Sequence, residues 1–309
     1  MKTKMLFWLL LPAWLSAQEP VPNTSEKNVR PLTPSAATPQ SPPHGTATRA
    51  VVVGISDYQD PAIPDLRFAH RDAEAFVQWL RSPAGGGLPE DNVQPLLNEQ
   101  ATLGNMYKQL DWLVEQSREG DQAVIYFSGH GDIEVKTRMK EGFLLCYNSP
   151  PNNYRANAFA VYYLQDIVAQ LSLDKKARVI LITDACRAGK LAGNEIGGPQ
   201  LTTAALQEQF SNEIKILSCQ PNEYSVEGEQ WGGGRGAFSK HQVDALYGLA
   251  DRDEDDWIIL KEVNRYLEDR RKHEGPGRCC PGAGRQHDPA DLRRFSGRHR
   301  AQKLNARCR

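Results

Sequence analysis

What most constrains this chain is an alternation of two patterns. Short apolar runs rich in Val and Ile take turns with longer stretches whose apolar residues recur at helical spacing. "AVVVGIS" (50–56) has the β-branched composition of a strand buried on both faces. "DLRFAHRDAEAFVQWLRS" (65–82) then sets Leu66, Ala69, Ala73, Phe76, Val77 and Leu80 on one helical face and stops at "PAGGG". The spacing predicts further strands at 92–98, 123–127, 142–147, 177–183 and 213–219. It predicts helices at 102–118 (capped by Thr102), 161–172, 202–210, 237–250 and 258–273. Such an order builds an α/β fold, a mostly parallel central sheet with helices on both faces.

The flanks do not share this pattern. "MKTKMLFWLLLPAWLSA" (1–17) has two lysines, an apolar stretch interrupted by Pro12 and a small-residue end, and reads as a secretory signal. It predicts export, to the periplasm, the cell surface or the medium; uncleaved, it would be the chain's one tie to a membrane. Residues 18–48 are rich in Pro, Ser and Thr, with too little apolar surface to order themselves, and read as a disordered linker. The folded domain spans 49–275. The tail 276–309 is arginine-rich without apolar periodicity; it reads as a disordered extension or as a reading-frame artefact. A formal net charge of −1 gives no electrostatic reason to expect nucleic acid as a partner.

Six cysteines are too few and too unevenly placed for a disulfide scaffold. Three lie in the tail, and Cys146 and Cys219 sit in apolar runs as small core residues. Cys186 remains. It follows the strand "VILITDACRAGK", just as His130 follows the strand in "AVIYFSGHGDI". In a parallel sheet both project from the carboxyl edge, where ligands bind. A thiol and an imidazole there form a nucleophile and its base. The glycines around His130 mark backbone that takes a positive φ or approaches another group closely.

"YFSGHGD" and "DACRAG", each after an apolar strand and in this order, resemble the two motifs of caspase-like cysteine peptidases, with metacaspases and their bacterial relatives the nearest group. "RAVVVGISDY", "LRFAHRDA" and "GRGAFS" extend the resemblance over roughly Arg49 to Gly275. It implies a caspase-like sandwich, with His130 as general base and Cys186 as nucleophile. The amides of Gly131 and Cys186 would then form the oxyanion hole. Relatives that cut after Arg or Lys line their pocket with carboxylates, and the matching substrate-binding positions here are Asp72, Ser128 and Asp184. "SCQPNEYSVE" departs from the metacaspase pattern: Pro221 or Asn222 stands where relatives carry an aspartate, with Glu223 or Glu227 as candidates to compensate.

"DRDEDDWIILKE" sets Asp251, Asp253, Asp255 and Glu262 at positions one, three, five and twelve of an EF-hand-like spacing, although Asp256 replaces the usual glycine. Calcium is therefore the candidate metal, and a solvated acidic turn before a helix is the plainer reading. The chemistry itself requires no cofactor. The expected activity is exported cysteine endopeptidase cleavage after Arg or Lys, on protein or peptide substrates and on the chain itself. The alternative is a catalytically silent caspase-like module that binds partners.

Overall fold

Five strands lie side by side in the computed structural model: Thr48–Gly54 (β1), Val93–Leu97 (β2), Gln122–Ser128 (β3), Arg178–Asp184 (β7) and Glu213–Leu217 (β8). Their order is β2-β1-β3-β7-β8, and every neighbouring pair is parallel. Pro95, which has no N–H to donate, is tolerated because β2 is an edge strand of this sheet. The structure describes residues 46–134, 141–151, 153–185, 213–218 and 225–274, all within one unit of the chain, Gln40–Arg309. The signal segment, the linker up to 45, the helix expected at 202–210 and the tail lie outside the described residues.

Strand alternation divides the core in two. Ala50, Val52, Val124, Tyr126, Ile180 and Ile182 face one side, with Ala69–Arg81 (α1), Ala237–Asp244 (α5) and Leu260–Glu274 (α6) supplying Phe76, Phe238 and Val263. Val51, Val53, Ile125, Phe127, Val179 and Leu181 face the other side. There they meet Leu103–Gln116 (α2) and Val161–Ala169 (α4) through Leu110, Leu113, Leu164 and Val168. Thr102 caps α2 as its sequence predicts, its Oγ1 accepting from Asn105 N at 3.3 Å.

Two features differ from the sequence pattern. Gly131–Ile133 (β4), Gly142–Leu144 (β5) and Phe159–Ala160 (β6) form a separate antiparallel sheet of very short strands; Tyr154–Asn157 (α3) lies between the last two. Helix α1 starts at Ala69, later than its apolar spacing implies. The reason is a competing set of acceptors. Glu227, on Glu227–Gly228 (β9), takes the Arg67 and Phe68 amides at 3.0 and 3.1 Å, and Ser56 Oγ takes the His70 amide at 3.1 Å. Strand β9 pairs with Arg235–Gly236 (β10), so this hairpin is fastened to the start of α1. Among the described residues no helix is long and apolar enough to cross a membrane.

Candidate active site

The chain leaves β1 toward β2 on one side and returns to β3 on the other, so the loops after β1 and β3 meet at a topological switch point. His130 stands there, two residues beyond β3 and 3% exposed. The loop after β1 grips it from three directions. His130 N donates to the Tyr58 hydroxyl at 2.8 Å, the Tyr58 ring stacks on the imidazole with centroids 5.0 Å apart, and Nε2 lies 2.8 Å from the Pro64 carbonyl oxygen. A carbonyl only accepts, so Nε2 carries the proton and the imidazole lone pair is on Nδ1.

The loop is itself held. Asp60 turns the chain through Ala62 N, Asp65 Oδ1 accepts from Tyr58 N at 2.9 Å, and the Leu66 amide closes back on the Ser56 carbonyl. This explains Gly129: a Cβ there would lie 3.0 Å from the Phe127 ring and 3.1 Å from the Tyr58 hydroxyl. Gly129 is not among the positive-φ glycines; close approach is what requires it. Tyr58 and Pro64 carry no signal in apolar periodicity. "SDYQDPAIPDL" signals a turn, and only the tertiary meeting of two loops gives these residues their role.

Cys186 lies outside the described residues. The strand leading to it is described: Ser128 is in register with Asp184, and Gly129 N donates to the Asp184 carbonyl at 3.1 Å. The ends of the two motif-bearing strands are thereby tied together. Gly131 is buried and opens β4, opposite Leu144. Cys146 is no rival nucleophile. It is fully buried, and burial pushes its thiol up to about 12, leaving it protonated at neutral pH.

The three expected pocket residues lie on the α1 side of the sheet, and they are not equivalent. Asp72 is completely buried and faces inward: Oδ1 accepts from Arg235 Nε at 2.6 Å and from Gly236 N at 3.0 Å. Asp72, expected among the substrate-binding carboxylates, thereby also anchors β10, reciprocal to the grip of Glu227 on α1. Asp184 is also enclosed, its Oδ2 accepting from Ser239 Oγ at 3.0 Å. Since Ser239 donates there, the Tyr126 hydroxyl, 2.8 Å away, donates to Ser239. Burial, then the negative charges of Asp72 and Asp184, push the Tyr126 phenol far up, so it remains a donor. Ser128 Oγ, fully enclosed beside Asp184, has no hydrogen-bond partner among the described residues.

The acidic turn divides the candidate metal ligands. Asp251, Asp253 and Asp255 bring carboxylate oxygens within 4.8 Å of one another. Asp256 adopts φ 66°, the left-handed conformation that the usual glycine of such a loop supplies. Glu262 does not join the three. Its Oε1 accepts from Arg252 N and its Oε2 from Ile259 N, both at 3.1 Å, bracing the turn against the start of α6. Three of the four residues expected as calcium ligands thus lie together, and carboxylate oxygens are donors of the type calcium takes.

Comparison with known proteins agrees with this architecture. The family model for Peptidase_C14, Caspase domain, matches residues 47–286, extending past the domain end expected at 275. The crystal structure of protein GSU0716 from Geobacter sulfurreducens is similar in fold, with a TM-score of 0.56 at 16% identity, covering 82% of this chain and 98% of that one. No curated protein matches the chain in sequence. The parallel five-stranded sheet, the histidine at its switch point and the family match across most of the chain together show that it belongs to the caspase-domain family of peptidases.

Proposed function

We propose that this chain is an exported cysteine endopeptidase that cleaves after Arg or Lys, with Cys186 as nucleophile and His130 as base. The observation that carries the reading is the bond between His130 Nε2 and the Pro64 carbonyl, which puts the imidazole lone pair on Nδ1, the atom that would take a thiol proton. In this mechanism the Cys186 thiol gives its proton to Nδ1, and the thiolate attacks the scissile carbonyl. The Gly131 and Cys186 amides receive the developing oxyanion. Collapse expels the amine, which takes the proton from the imidazolium. Water then loses a proton to His130, attacks the thioester carbon and releases the acid and the thiol. No step calls for a metal or cofactor. Calcium at Asp251, Asp253 and Asp255 is proposed as a separate stabilising ion.

The preference for a cationic P1 residue rests on Asp184, with Ser128 beside it, because Asp72 is matched by Arg235. Arg138 and Lys140, or Arg187 and Lys190, are the proposed self-cleavage points; all four lie outside the described residues. Fluorogenic peptides differing only at P1 test the proposal. Arg and Lys substrates should be cut, Asp substrates spared, and iodoacetamide or Cys186→Ala should abolish turnover. Turnover that survives Cys186→Ala contradicts the assignment. A folded wild-type protein without turnover favours the silent interaction module.

A further inference from the structure

We propose that Tyr58 is a positioning residue for His130, holding the imidazole in one orientation and favouring its protonated form during turnover. The inference rests on His130 acting as the base. Tyr58 is 7% exposed, its hydroxyl accepts the His130 amide at 2.8 Å, and its ring lies against the imidazole at an interplanar angle of 29°. The two contacts fix different things. The hydroxyl sets the height of the His130 backbone at the strand end, while the ring closes one face of the imidazole and limits its rotation. With Nε2 held by the Pro64 carbonyl, the imidazole keeps one tautomer and one rotamer.

Accepting the thiol proton on Nδ1 turns the imidazole into a cation, which then lies between an aromatic face and a carbonyl oxygen. Both surroundings favour positive charge more than neutrality. They act on the charged state formed in the reaction and only weakly on the resting one, which is where an interaction contributes to turnover. Asp65, which bonds Tyr58 N, and Gly129, which leaves room for the hydroxyl, support the same arrangement.

Two variants separate the contacts. Tyr58→Leu removes ring and hydroxyl, and Tyr58→Phe removes the hydroxyl alone. Per folded molecule, kcat on a P1-Arg peptide should fall about tenfold in the Leu variant with KM within about twofold, and the Phe variant should recover most of the loss. Imidazole nitrogen NMR of His130 gives a readout independent of activity. The wild type should show the Nε2–H tautomer alone, and Tyr58→Leu a mixture. An unchanged His130 spectrum in Tyr58→Leu, or a kcat equal to the wild type, would overturn the proposal. If the wild type has no peptidase activity the functional reading fails, and the NMR comparison still decides whether Tyr58 positions the histidine.

Discussion

Asp72 and Asp184 are both fully buried carboxylates on the same side of the sheet, yet they bond to different parts of the molecule. Asp72 holds a guanidinium and a backbone amide, whereas Asp184 ends a chain of hydroxyls from Tyr126 through Ser239. Their substitutions should therefore separate. Asp72→Asn leaves the largely buried Arg235 charge without its counter-ion, a loss of about 3–5 kcal/mol for a buried pair. Thermal unfolding should show this as a fall in Tm of about 6 °C or more. Asp184→Asn should lower kcat/KM for P1-Arg peptides at least tenfold, and the loss from Asp72→Asn, per folded molecule, should be smaller. Equal kinetic losses would give Asp72 the same part in substrate binding as Asp184. The motif "AHRDA" could identify Asp72 as important from sequence, but not assign its partner: Arg235 is far along the chain, and only the folded hairpin brings it to α1.

The elements were legible to different degrees for physical reasons. Strands β1, β3 and β7 are buried on both faces, so their apolar runs have few rival readings. Strand β5 falls inside the apolar run expected at 142–147, whereas β4 and β6, three and two residues long, give no comparable period. The acidic turn shows how far spacing can be trusted. The three aspartates of the spacing lie together and Asp256 is left-handed, while Glu262 is drawn to backbone amides. Millimolar calcium should raise Tm, since an ion bound only by the native state adds to stability, and Asp253→Asn should cancel the rise. Glu262→Gln should lower Tm with and without calcium, because one carboxamide oxygen cannot replace two carboxylate acceptors. A Tm indifferent to calcium would leave the turn as a solvated helix entry.

At the scale of the whole molecule, strand order creates the site. With β1 and β3 adjacent and their loops diverging, a histidine after β3 meets whatever segment follows β1. The sequence makes the two motif-bearing strands and their order plain. It does not show which loop will hold the histidine, because the contacts of Tyr58 and Pro64 with His130 are long-range and have no periodic signature. Nor does it show that the strand ends are joined through Gly129 N and the Asp184 carbonyl. The central claim is that Cys186 and His130 work as one unit, and a double-mutant cycle on kcat for a P1-Arg peptide tests it most directly. Cys186→Ala, His130→Ala and the double variant should all fall to a similar floor, because removing either member of a nucleophile–base pair already removes the function of both. Losses that multiply in the double variant, or turnover retained by Cys186→Ala, would contradict it.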